Sequence, residues 1–154
     1  MRVGDHCKHG VVTISPTADV VEVARTMRDE HVGFLIVIEE GDALRKPIGV
    51  ITDRDIVLEI DAREVDPHTV TAADIMSREP LVAHEYEDLN EVLQAMRIAG
   101  FRRVPVVTEK GALTGVIAVD DVLDVVAGLL CDVCGSIRNE QRQERRLRPA
   151  SATD

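Results

Sequence analysis

Aromatic residues are scarce in this chain: 2% of 154 residues, with no tryptophan and a single tyrosine, Tyr86. Too few rings are present to build an exposed platform on which nucleobases stack. Cysteine is sparse as well, and three residues are too few and too odd in number for a disulfide framework. Basic side chains are outnumbered, 18 against 28 acidic, for a net charge of −10. That balance argues against a chain-wide affinity for polyanions. Apolar runs such as Phe34 to Ile38 fall far short of the roughly 20 residues that cross a bilayer. The opening Met1-Arg-Val-Gly-Asp5 has no apolar signal core, so the expectation is a cytoplasmic protein without a membrane association. What remains is 45% hydrophobic and 30% charged residues, the mix of a globular protein with a core. The length allows one ordinary domain or two very small ones packed together.

The chain resembles itself. Asp19-Val-Val-Glu22 returns as Asp88-Leu-Asn-Glu91, and Met27-Arg28 as Met96-Arg97, both at an offset of 69. Phe34-Leu-Ile-Val-Ile38 aligns with Arg103-Val-Pro-Val-Val107 at the same offset. Gly49-Val-Ile-Thr-Asp-Arg-Asp55 aligns with Gly115-Val-Ile-Ala-Val-Asp-Asp121 at 66, because the loop Glu39 to Pro47 is three residues longer than Thr108 to Leu113. One length change in one turn-rich loop accounts for both offsets.

Each copy reads the same way. Asp19 and Asp88 are N-cap candidates, with Glu22 and Glu91 completing capping-box-like pairs. Val20, Val23, Ala24 and Met27, and then Leu89, Val92, Leu93 and Met96, recur at helical spacing. Short β-rich runs follow at Leu35 to Ile38 and Val104 to Val107, continuous enough for buried strands. A second strand, Ile48 to Thr52 or Thr114 to Ala118, leads into a second helix. That helix runs from Asp53 toward Ala62, or from Asp120 past Leu130. Units of this size bury too little surface to stand alone, so the two should pack face to face.

Two tandem β-α-β-β-α units, each with Gly-hydrophobic-hydrophobic-Thr/Ser-x-x-Asp after the last strand, resemble a cystathionine-β-synthase (CBS) domain pair, or Bateman module. Gly49 to Asp55 matches that motif in full, and Gly115 to Asp121 departs from it with Ala118 in place of the hydroxyl residue. Val12-Thr-Ile-Ser-Pro16 is similar to the family's opening strand, and Asp74-Ile-Met76 to its inter-repeat segment. The fold class is therefore expected to be α/β: two CBS repeats packed with pseudo-twofold symmetry, plus an extended C-terminal helix. The expected boundaries are repeat 1 at residues 3–63, a linker at 64–71, repeat 2 at 72–130, and a helical extension and tail at 131–154.

The resemblance implies an adenosine-nucleotide site between the repeats. Thr52 stands where a strand hands over to a helix, a place that attracts anions. Asp55 is placed to accept hydrogen bonds from a ribose diol, and Arg54 to reach a phosphate. Ile14 and neighbouring backbone can sandwich a flat base. Thr52 and Asp55 equally suit a plain capping pair that starts a helix. In the second copy Asp121 keeps the ribose position, while Ala118 can neither cap nor hold a phosphate. Arg102 and Arg103 bring two guanidinium groups to the edge of the central strand there, where the first copy has Gly33-Phe34. Solvated arginines balancing an acidic surface are the alternative. His84, in the second opening strand, reads as an exposed or core histidine rather than a ligand.

No nucleophile elbow, P-loop or Gly-x-Gly-x-x-Gly is present, and the paired acids at helix starts suit the dipole, so no catalytic residue is expected. His6-Cys7-x-His9 and Cys131-x-x-Cys134 have zinc-like spacing. Cys131 and Cys134 fall in an apparent helix rather than a tight turn, however, and no metal is expected. Val122, Val126, Leu129, Leu130, Val133 and Ile137 keep an apolar helical stripe beyond the repeat, and self-association into a homodimer of CBS pairs is the economical way to cover it. Arg138 to Arg148 turns to Gln, Glu and five arginines. The reading that follows is a regulatory module that senses AMP, ADP, ATP, S-adenosylmethionine or a dinucleotide and signals to a partner protein. Its alternatives are a ligand-free dimerisation module, or a nucleic-acid contact through the arginine-rich tail.

Overall fold

The computed structural model describes residues 1–39 and 41–148. These form two compact units, Met1–Val119 and the segment that begins at Asp120.

In the first unit, β1 (Thr13–Ile14) is followed by α1 (Val20–Asp29), β2 (Phe34–Ile38), β3 (Pro47–Thr52) and α2 (Asp53–Ile56). α2 continues as a wider turn over Val57–Asp61. Then come α3 (Ala72–Ile75), β4 (Ser77–Arg78), β5 (Ala83–His84), α4 (Leu89–Ala99), β6 (Arg103–Val107) and β7 (Leu113–Ala118). The first sheet has the order β1-β2-β3-β4 and the second β5-β6-β7. In each, the opening strand runs parallel to the central one and the next strand antiparallel to it. The repeat read from the sequence is thus a repeat of strand pairing.

The cores follow the apolar periodicities. Val20, Val23 and Met27 of α1 face the sheet, where Leu35, Val37 and Ile51 are wholly buried. Leu89, Val92 and Met96 of α4 are buried in the same way, with Val104, Val106 and Ile117 in the second sheet. Caps close the helices, although not all as expected. Asp19 accepts the Glu22 N–H at 2.8 Å, but Asp88 accepts from the Asn90 N–H at 3.0 Å, one residue earlier than a capping box requires.

The repeats are tied together by an exchange that the alignment above does not include. The second repeat opens with α3 and β4, yet β4 pairs with β3 of the first sheet, Gly49 opposite Arg78 and Val50 opposite Ser77. Conversely, the N-terminal segment lies on the second sheet. Val3 and Gly4 donate to the Glu87 and Glu85 carbonyls, and Lys8 forms an antiparallel bridge with Val116. Offset by 69, Val3 corresponds to Ala72, Cys7 to Met76 and Lys8 to Ser77. In both copies a glycine of the receiving strand admits the incoming segment. A Cβ on Gly49 would run into Met76 Sδ, and one on Gly115 would stand 2.7 Å from the Lys8 carbonyl oxygen and 2.8 Å from Cys7 Sγ.

α5 (Val119–Leu147) is a single continuous helix that makes up the second unit from Asp120 onward. Asp121 and Val122 are buried, whereas Leu123, Val126, Leu130, Val133 and Ile137 are all exposed. The expected tail beyond Arg148 lies outside the described residues. No described helix is long and apolar enough to cross a membrane.

One substitution therefore has opposite signs at two glycines. Gly115→Ala must displace backbone and should lower stability by roughly 1–3 kcal/mol. Gly128→Ala, where an added Cβ meets nothing within 4 Å, should raise the stability of α5 by up to about 1 kcal/mol. Denaturant midpoints, together with helix content by circular dichroism, measure both.

Candidate functional site

β3 delivers Thr52 to the start of α2 in extended conformation, and the side chains there close a full capping box. Asp55 Oδ2 accepts the Thr52 N–H at 2.7 Å and the Thr52 hydroxyl at 2.8 Å, and the Asp55 N–H donates to Thr52 Oγ1 at 3.2 Å. The capping role is therefore real, and it occupies one oxygen of Asp55. Oδ1 carries no hydrogen bond among the described residues, so one oxygen of the carboxylate remains for an outside donor. Beside it, Asp53 Oδ1 accepts the Arg54 N–H at 2.8 Å. Its Oδ2 would stand 2.7 Å from a Cβ placed on Gly33, so a side chain at position 33 would push Asp53 away.

This turn forms one wall of a cavity of about 450 Å³. β4 and the segment after it add Ser77, Arg78, Glu79, Pro80 and Leu81. The entry to β2 adds Gly33 and Phe34, and the entry to β6 adds Phe101, Arg102 and Arg103. Four guanidinium groups thus share the cavity with three carboxylates. Arg78 donates to the Ala73 carbonyl at 2.9 Å, while the side chains of Arg54 and Arg103 have no hydrogen-bond or ion-pair partner among the described residues. In a chain of net charge −10, guanidinium groups here outnumber carboxylates by one.

The geometry regroups the residues expected from sequence. Arg102 and Arg103 were expected at the second copy's site; both line the cavity of Thr52, Arg54 and Asp55, and Arg103 lines the second hollow as well. The reason is that the cavity is built from the β3–α2 turn of one repeat and the β6 entry of the other. Ile14 does not line this cavity; it is buried in β1 beside a separate hollow with Thr13, Ser15, Ile38 and Arg45. Asp121 is buried in the second unit and is not part of the lining. Arg78, Phe101 and Gly33 were not anticipated. Extending the 69-residue offset back to the N-terminus would have pointed to Arg78, through its counterpart His9.

A second hollow, of about 320 Å³, is the pseudo-twofold counterpart of the first. Lys8 and His9 stand for Ser77 and Arg78, and Gly33-Phe34 for Arg102-Arg103. Its lining has no carboxylate; Gly33 and Phe34 take the positions of Arg102 and Arg103, and Arg103 itself reaches this hollow from across the cleft as its one guanidinium group. His9 is engaged through Nδ1 with the Thr114 carbonyl oxygen at 2.9 Å. Among the metal candidates, Cys7 is buried with its thiol 3.6 Å from the Gly4 carbonyl oxygen, and Cys131 and Cys134 are exposed along α5. No group of three or more His, Cys, Asp or Glu suited to a metal ion occurs among the described residues.

The CBS domain pattern matches the chain twice, over residues 3–62 and 72–128. The chain belongs to the CBS domain family. It is 33% identical over 143 residues to an uncharacterized protein of Methanopyrus kandleri, covering 93% of this chain and 71% of that protein. A CBS domain protein of Pyrobaculum aerophilum, solved in complex with AMP, shares 26% identity with a TM-score of 0.71, over 79% of this chain and 89% of that one. Hypoxic Response Protein I, solved with two coordinated zinc ions, shares 28% identity with a TM-score of 0.70, over 80% of this chain and 98% of that one. In this CBS pair the hydroxyl–carboxylate turn is therefore present once in full, in the first copy.

The capping role of Thr52 can be measured apart from any ligand. Thr52→Ala should cost about 1 kcal/mol of stability, and Thr52→Ser should restore most of it. Urea unfolding of the two variants without ligand checks this.

Proposed function

We propose that this CBS pair is a non-catalytic regulatory module that binds an adenosine-containing nucleotide in the 450 Å³ cavity and relays occupancy to a partner protein. The observation that carries this reading is the meeting, in one cavity, of an Asp55 carboxylate with a spare oxygen and two guanidinium groups that have no partner among the described residues. A ribose hydroxyl donates to the first, and phosphate oxygens accept from the second. Phe34, Phe101 and Leu81 supply apolar wall for a base. The AMP complex of the Pyrobaculum aerophilum relative supports the ligand class.

Arg54 comes from one repeat, and Arg102 and Arg103 from the other, so a bound phosphate bridges the two. A ligand held this way favours one arrangement of the repeats over others, by as much as its affinity differs between them. A protein that touches both repeats can read that difference. Thr52, Arg54, Asp55, Arg102 and Arg103 form the proposed site. A second ligand at the Lys8–His9 hollow would meet a different donor set, and the two clefts are proposed to be unequal.

A thermal-shift panel of AMP, ADP, ATP, S-adenosylmethionine and a dinucleotide tests the class, since a ligand at 100 times its Kd stabilises by about 2.7 kcal/mol. Asp55→Ala should weaken binding by about 1.5–3 kcal/mol, the worth of a hydrogen bond to a charged group. Arg103→Gln should weaken AMP and ADP by about tenfold or more while sparing S-adenosylmethionine, which carries no phosphate. Unchanged calorimetric affinity in a folded Asp55→Ala variant would remove the ribose contact. Equal losses for phosphorylated and unphosphorylated ligands would remove the phosphate contact.

A further inference from the structure

The hollows of about 450 and 320 Å³ meet on the same three residues, Gly33, Phe34 and Arg103. Phe34 and Arg103 open the central strands of the two sheets, opposite Thr52 and Ala118 respectively. They correspond to each other at the 69-residue offset. A strictly repeated chain would carry the same side chain at both positions and give each hollow a guanidinium of its own there. Here one of the pair is a phenylalanine, which donates no hydrogen bond, so a single guanidinium at this position serves both hollows. Arg103 is exposed, and its side chain has no hydrogen-bond or ion-pair partner among the described residues. No protein contact described here holds it to either side.

The two hollows differ in what they offer an anion. The first sets three carboxylates among its four guanidinium groups, and Asp55 among them suits a ligand that carries a diol. The second has no carboxylate. Lys8 and Arg103 carry its charge, and His9 and His31 add imidazole rings that are neutral or positive. We infer that the second hollow takes a small, multiply charged anion without a ribose, of the pyrophosphate class. This anion competes with a phosphate in the first hollow for Arg103. The inference rests on the nucleotide reading of the first cavity. A guanidinium drawn into one hollow is withdrawn from the other, and two anions on either side of one positive charge repel. The coupling is therefore negative, and linkage makes it equal in both directions.

Calorimetric titration of the full chain with AMP, with and without inorganic pyrophosphate, tests this. Ionic strength is held constant with sodium chloride, so that general screening does not change. Saturating pyrophosphate should weaken AMP by about fivefold or more, the lower end of ordinary site–site coupling, and AMP should weaken pyrophosphate by the same factor. In Arg103→Gln, whose AMP affinity starts lower, pyrophosphate should have no further effect. Lys8→Gln/His31→Asn should also abolish the antagonism, because it removes donors from the second hollow alone. His31→Asn by itself is the milder variant, since position 31 has φ 55° and asparagine accepts a left-handed backbone. AMP affinity that is indifferent to pyrophosphate, or strengthened by it, overturns the inference and leaves the nucleotide reading standing. Equal weakening in the unmodified chain and in Lys8→Gln/His31→Asn also overturns it, because pyrophosphate is then displacing AMP within the first cavity. A chain that binds no adenosine ligand at all removes the nucleotide reading, and this inference with it.

Discussion

Everything in the first unit depends on the close approach of two exchanged segments to two glycines. The segment Val3–Lys8 docks on the sheet of the second repeat, and Ala72–Arg78 docks on the sheet of the first. Both contacts are too close for a Cβ on the receiving strand. Each sheet therefore borrows an edge from sequence that belongs to the other copy. Units of about 50 residues bury too little surface to be stable alone, and the exchange makes their cores mutually dependent. Cys7 and Met76 illustrate it: each is buried under a sheet whose remaining strands come from the other end of the chain.

The same exchange builds the clefts. Because each borrowed segment runs along the β3 or β7 edge, its continuation passes across the mouth between the repeats and supplies Arg78 to one hollow and His9 to the other. The backbone is nearly twofold symmetric there, and the chemistry is not. The first cleft has a hydroxyl, a carboxylate and guanidinium groups from both repeats, while the equivalents of Arg102 and Arg103 in the second are Gly33 and Phe34. Symmetric backbone with asymmetric side chains allows one cleft to specialise while the other maintains packing.

The repeat, the two sheets and the helix spacing were legible because they are carried by local periodicity: β-rich runs, helical apolar stripes and caps at Asp19 and Thr52. What escaped was whatever depends on chain crossing. Cys7 read as a metal candidate from its neighbours His6 and His9, although its place is a core position on the far sheet. Arg102 sits in repeat 2 by sequence but opens into the cavity of Thr52, and Arg103 lies between the two hollows and lines both, since an edge of one strand can face the opposite copy. The cap at Asp88 moved by one residue to the Asn90 N–H, a choice that side-chain rotamers make and spacing does not show. Ile14 took its expected strand, but pairing with β2 directed its side chain into the core.

The charge of the chain and the charge of its cleft point in opposite directions, and their ranges decide which one a ligand meets. At physiological ionic strength the Debye length is about 8 Å, so the excess of ten negative charges, spread over the surface, is largely screened from a molecule inside the cleft. In the proposed site Arg54 and Arg103 act on a phosphate at hydrogen-bond distance, where screening by salt is weak. The acidic surface still repels long polyanions, whose many phosphates must lie along it. A small anion with one to three phosphates escapes that repulsion and keeps the local contacts. On the proposed nucleotide reading, discrimination between a free nucleotide and a nucleic acid follows from the length scale on which the two sets of charges are felt, with no need for a base-specific contact.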